Sequence, residues 1–116
     1  MVKKTKQPRV IRHHAFLQFL ESTNKDQRKQ LLKLANKEQI LSVCECAYNI
    51  VKKNVELTPA ELKQLRKYRH ILYIMCDPHY SVVAKKKTLI QEGGIAFLPA
   101  LLAPIIGSLV GAAISR

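Results

Sequence analysis

A chain of 116 residues holds about one domain, which argues against a two-lobed enzyme with a cleft between domains. Lys and Arg number 20 against 8 Asp and Glu, a formal net charge of +12, and that imbalance points to a polyanionic partner, nucleic acid or an anionic membrane surface, without specifying a fold. A hydrophobic fraction of 47% excludes a wholly disordered basic protein, although Trp is absent.

Residues 1–11 carry Lys3, Lys4, Lys6 and Arg9 around Pro8 with no acid, and with Arg12 they read as a disordered basic arm. No apolar stretch that would make a secretory signal follows, and three Cys form no repeating framework, so a reducing compartment is expected. The segment 12–21 places Phe16, Leu17 and Leu20 at helical spacing, but it is too short to stand alone. Asn24 and Asn36 are each followed three residues later by Gln, the pattern of a reciprocal helix cap, and predict two separate helices. The first reaches about residue 35 with Leu31, Leu32 and Leu34 facing inward. The second covers 37–53 with Ile40, Leu41, Cys44, Ala47, Tyr48 and Val51 as its apolar stripe, and Asn54 stops it.

Thr58-Pro59-Ala60-Glu61 is the clearest helix start in the chain. A Thr oxygen can accept a free backbone N–H, Pro at the first position loses no hydrogen bond, and Glu suits the positive helix end. This helix is expected to reach about Met75, with Leu62, Leu65, Tyr68, Leu72 and Met75 inside and Lys63, Arg66, Lys67 and Arg69 outside, and to end at Asp77-Pro78. Ser81 caps a helix over 82–91 that carries Lys85, Lys86 and Lys87, and Gly93-Gly94 is expected to stop it. No strand alternation competes. Residues 12–92 therefore read as a small all-α bundle of about four short helices.

Residues 95–114 contain no charge and are long enough, as a helix, to span roughly 30 Å. Pro99 and Pro104 would kink that helix, so 93–116 form a Gly-Gly linker followed by an apolar segment that either enters a membrane, packs on the bundle or another protein, or stays disordered. Phe97, Leu98, Leu101, Leu102, Ile105, Ile106, Leu109 and Val110 are the candidate membrane or partner contacts. Ala103, Gly107 and Gly111, four residues apart, would permit close helix approach in lipid.

No phosphate loop, dinucleotide fingerprint, nucleophile elbow or carboxylate pair occurs, so a non-enzymatic protein without a cofactor is expected. Cys44, Cys46, Cys76 and His79 could be forced into a zinc site, but positions i and i+2 of a helix point about 200° apart. Cys44 and Cys46 therefore read as small buried hydrophobes, and no metal site is expected. His13 and His14 read as ordinary surface histidines.

The stretch 85–107, Lys-Lys-Lys-Thr-Leu-Ile-Gln-Glu-Gly-Gly-Ile-Ala-Phe-Leu-Pro-Ala-Leu-Leu-Ala-Pro-Ile-Ile-Gly, resembles adenovirus core protein X, the precursor of the mu peptide, and related proteins of adenovirus-like viruses and Polinton or Maverick elements. The family sets a basic DNA-condensing region before Gly-Gly and an apolar tail. The resemblance implies a structural protein of the virion core, in the host nucleus, that binds double-stranded DNA and adjoins capsid proteins. It also implies protease cleavage at Gly93-Gly94, although Gln91 stands where the family has an aliphatic residue. The first 84 residues depart from the family, being Lys-rich and patterned to fold.

Charge and resemblance together give one leading expectation: sequence-independent binding of DNA phosphates by Lys3, Lys4, Lys6, Arg9, Arg12, Lys63, Arg66, Lys67, Arg69, Lys85, Lys86 and Lys87. The alternatives are a membrane-associated helical protein, located at a host membrane with residues 95–114 inserted, and a capsid protein-interaction module.

Overall fold

The computed structural model describes residues 9–114, with side chains described for residues 9–107. Among these residues eight helices follow one another: α1 (Arg9–Arg12), α2 (His14–Ser22), α3 (Lys25–Leu34), α4 (Lys37–Val51), α5 (Pro59–Lys67), α6 (Arg69–Cys76), α7 (Val82–Ile90) and α8 (Glu92–Ile114). The class is all-α, with no strand among the described residues.

Local chemistry sets most helix starts. The Asn24 side chain accepts from the Gln27 N–H at 2.9 Å and the Ser81 hydroxyl from the Ala84 N–H at 3.1 Å. Asn36 and Gln39 bond reciprocally, as do Thr58 and Glu61, so two full capping boxes open α4 and α5. The end of α4 is equally specific. Lys53 N–H bonds to the Ile50 carbonyl and Asn54 N–H to the Asn49 carbonyl, the paired bonds of a Schellman turn, with Lys53 in the left-handed region at φ 61°.

Tertiary packing overrides the sequence pattern in several places. The basic arm ends earlier than expected, because Arg9–Arg12 form a helical turn whose Val10 is buried against the core; residues 1–8 lie outside the described residues. The helix expected over 59–75 divides at Tyr68, whose ring meets Phe97 edge-on at 6.1 Å between centroids. Leu34 points to solvent, and Leu62 lies exposed beside a surface groove. In α4 the buried arc is Ile40, Val43, Cys44, Cys46, Ala47 and Ile50, while Tyr48 and Val51 face outward.

The largest departure is the C-terminal segment. It is not a tail after a linker: α8 is the central helix of the bundle, packed against α2, α3, α4, α5 and α7. Ile95, Phe97, Leu98, Leu101, Leu102 and Ile105 lie in the same core as Leu17, Leu20, Leu32, Val43, Met75 and Leu89. The single domain therefore extends past residue 92, and the side chains expected to touch a membrane or partner are interior, Ile106 being half-buried. The side chains of Leu109 and Val110 lie outside the described residues. Among the described residues no single helix is long and apolar enough to cross a membrane; only α7 joined to α8 as far as Gly107 meets the length and composition, and that pair is bent by 96°.

Gly93 and Gly94 do not stop a helix; α7 already ends at Ile90, and both glycines lie in the first turn of α8. Gly94 is buried where α8 turns back on α7, and a Cβ there would fall on the Thr88 carbonyl oxygen and 2.6 Å from Leu89 Cα. Both obstacles are backbone, so the chain cannot yield locally. Gly94→Ala is expected to lower stability by about 3 kcal/mol, as severe overpacking does, whereas at Gly93 the nearest atom is Ile71 Cδ1 at an ordinary 3.5 Å. Parallel urea melts of the two alanine variants check this; equal midpoints would mean that the corner opens without cost. At Gly107 a Cβ would meet nothing within 4 Å among the described residues, so no close helix approach uses that position there.

Candidate nucleic-acid interface

The twelve basic residues expected to bind DNA separate into distinct groups in the fold. Lys3, Lys4 and Lys6 lie outside the described residues. Arg9 bonds to the Glu38 carboxylate at 2.9 Å and lies 3.9 Å from that of Glu45, and Arg12 reaches Glu38 at 3.8 Å. These two arginines fasten α1 to α4, so their charge is already partly matched.

The lysine triplet is likewise not one patch. Successive helix positions are about 100° apart, so three consecutive side chains cannot share one face. Lys85 lies one turn before the buried Leu89 and is itself buried, a correction to its expected exposure. Its charge acts on Cys44, Cys76 and Asp77. Lys86 donates to the Lys33 and Ala35 carbonyls at 2.9 and 2.8 Å and so satisfies the C-terminal end of α3. Lys87 alone of the three is exposed.

Lys63, Arg66 and Lys67 recur at i, i+3 and i+4 along α5, and Arg69 opens α6 just past the Tyr68 break. All four are exposed, and among the described residues none makes an ion pair. Arg66 and Lys67 stand in the last turn of α5, where the helix dipole favours cations. Two more bases join them across the α4–α5 connection: Lys52, whose Nζ lies 5.4 Å from the Tyr48 ring centroid, and Lys53. The sequence reading missed Lys52 and Lys53, although a Lys pair at a helix end before Asn54 was the available signal. Of the two acids in this region, Glu61 accepts from the Thr58 N–H in the capping box and Glu56 lines the groove described below.

Arg66, Arg69 and Lys53 border an open groove of about 620 Å³ between the end of α4, the 52–58 connection, α5 and α6. Its lining is otherwise largely aliphatic. The surface thus combines a line of unmatched cations along α5 with an apolar trough beside it.

The thiols and histidines build no second centre. Cys44 and Cys46 are both buried, as expected of small hydrophobes, and burial pushes both thiols above the ordinary range, Cys46 far above it, with Lys85 opposing the rise at Cys44. Burial raises the half-buried Cys76 thiol too, again opposed by Lys85. Such shifts reduce the thiolate fraction that nucleophilic chemistry requires. The Asp77 carboxylate is held below its usual range by the His79 backbone N–H and then by the His79 ring, both at 2.9 Å. No group of three His, Cys, Asp or Glu placed to hold a metal occurs among the described residues. His13 and His14 are half-buried between α1 and α2 rather than on the open surface, and among the described residues the Nε2 of each has no hydrogen-bond partner. No known protein family, curated protein or solved structure matches this chain.

Proposed function

We propose that this protein binds the phosphate backbone of double-stranded DNA without reading its sequence, through Lys63, Arg66, Lys67 and Arg69 on α5 and the start of α6, flanked by Lys52 and Lys53. The observation that carries this reading is that, among the described residues, none of those four exposed side chains makes an ion pair, in a chain of net charge +12. Cations left unmatched by their own fold are available to displace counterions from a polyanion. Lysine predominates, and no helix presents a preorganised set of side chains for base edges, which favours phosphate contact over base readout.

The resemblance of residues 85–107 to adenovirus core protein X points the same way, toward a non-enzymatic component of a virion core located with packaged DNA. Those residues form α7 and the buried first half of α8, however, so the charge of α5 and α6 carries the DNA contact. Cleavage at Gly93-Gly94 would require the first turn of α8 to unwind before a protease could engage it.

If the four side chains neutralise four phosphates, log K should fall against log salt with a slope of roughly −3 to −4 on duplex DNA. Lys63→Gln, Arg66→Gln, Lys67→Gln and Arg69→Gln combined should remove most of that slope, while a shuffled duplex should bind nearly as well as the original. Fluorescence anisotropy across a salt series measures both. A slope unchanged in the fourfold variant, or strong preference for one duplex sequence, would overturn the reading.

A further inference from the structure

The groove beside the basic face calls for an occupant of its own. Its walls are Val51 from α4, Val55 and Leu57 from the connection, Leu62 and Leu65 from α5 and Tyr73 from α6. Val51 is 41% exposed, Leu62 40% and Tyr73 61%, so a continuous apolar surface faces water where separate elements converge. Lys53, Arg66 and Arg69 stand around it against one acid, Glu56.

The backbone at Lys53 strengthens the case. It occupies the left-handed position of the Schellman turn, where glycine is usual and a side chain with a Cβ is disfavoured. A cation is thus kept at the groove mouth in a conformation that disfavours it. Residues held against a local preference cluster at binding sites, and the strain observed here coincides with a groove.

We infer that this groove binds an amphipathic helix of a protein partner whose apolar stripe is flanked by acidic residues. The charge balance selects the sign of the flanks, since three cations and one acid surround an aliphatic floor. The shape selects a helix, because a trough between helices takes residues at i, i+3, i+4 and i+7, and no strand edge exists among the described residues to which an extended segment could add. Aliphatic walls also suit Leu-like anchors better than nucleotide bases, which stack on aromatic faces, and Tyr73 is the single aromatic lining residue. The inference does not rest on the DNA reading, although Arg66 and Arg69 belong to both surfaces.

The test uses the full chain and two fluorescein-labelled four-turn peptides of identical composition, Leu and Glu only. One has Leu at i, i+3, i+4 and i+7; the other has the same residues shuffled around the helix. Anisotropy should show the amphipathic peptide binding at least about tenfold more tightly, and Leu62→Asn and Val51→Asn should each weaken it by about tenfold without altering net charge. Arg69→Gln should weaken it as well, and more at low salt than at high salt. Both apolar positions are partly exposed, so the variants should keep the parent's thermal midpoint, and if one unfolds the other decides. Equal binding of the two peptides would reduce the effect to charge alone and overturn the inference, as would undiminished binding by both folded variants. Self-association in sedimentation that Leu62→Asn abolishes would make a second copy of the chain the occupant. Loss of a single-stranded oligonucleotide in Leu62→Asn, with neither peptide bound, would assign the groove to bases. Either result overturns the protein-partner reading.

Discussion

A chain ending at Gly94 is expected to lose its cooperative fold. It lacks Ile95, Phe97, Leu98, Leu101, Leu102 and Ile105, all buried in the common core. At about 2 kcal/mol for each buried apolar side chain, the loss is on the order of 10 kcal/mol, comparable to the whole stability of a small domain. The faces of α2, α5 and α7 that pack on α8 would then be open to water, so the effect is not confined to the removed end. Far-UV circular dichroism with a thermal scan measures it: the shortened chain should show weak helicity and no sigmoidal transition. A chain ending at Gly107, which retains all six side chains, should keep a cooperative transition. A cooperative transition in the Gly94-terminated chain would restore the view of residues 95–114 as an appendage of an independent bundle.

Why that segment reads as an appendage has a physical answer. Twenty uncharged residues satisfy the length and hydropathy of a membrane span as well as those of a central helix buried on most sides, and periodicity cannot separate them when every face is apolar. Helix starts were legible because a cap is decided within four residues: Asn36 with Gln39, Thr58 with Glu61, and Ser81 all act where the sequence places them. Burial was less legible where a helix has several neighbours. α4 packs against α1, α2, α6, α7 and α8, so its interior arc takes in Val43, Cys46 and Ile50, which a single stripe leaves out.

The candidate site was legible in part for the same reason. Within α5, Lys63, Arg66 and Lys67 share a face with no buried residue one turn away, and they remain outside; the buried Ile71, four residues after Lys67, lies beyond the break at Tyr68. Lys85 precedes the buried Leu89 by four residues, which was a signal for burial, and Lys86 serves the end of a helix fifty residues away in sequence, which no local pattern announces. Gly94 illustrates a third limit. A glycine that ends a helix and one that lets two backbones meet look alike until the neighbouring backbone is placed.

Arg28 should be the most sensitive charged position in the molecule. It is buried in α3, and among the described residues it makes no ion pair; its guanidinium instead donates to the Leu20, Glu21 and Thr23 carbonyls at the end of α2 and, from Nη1, to the Ile95 carbonyl of α8 at 3.4 Å. The last bond answers a specific defect. Pro99 has no N–H to offer the carbonyl four residues before it, which is that of Ile95, and Arg28 supplies the donor that the helix lacks. Burial lowers the Arg28 pKa, the nearby Glu21 carboxylate opposes the shift, and the group stays charged because guanidinium is protonated throughout the accessible pH range. Arg28→Met keeps most of the stem but leaves the buried Leu20 and Ile95 carbonyls without this donor. The expected cost is about 3 to 5 kcal/mol, from an unsatisfied acceptor at each of the two sites. Arg28→Lys should recover only part of it, since one ammonium cannot reach carbonyls on both α2 and α8 in the fork geometry of guanidinium. Substituting Pro99 by Ala in the Arg28→Met background should return a fraction of the loss, because the restored N–H can serve the Ile95 carbonyl from within α8. Urea unfolding of the single and double variants gives the coupling between the two positions. Strict additivity would separate Arg28 from the proline and leave it only the task of closing α2.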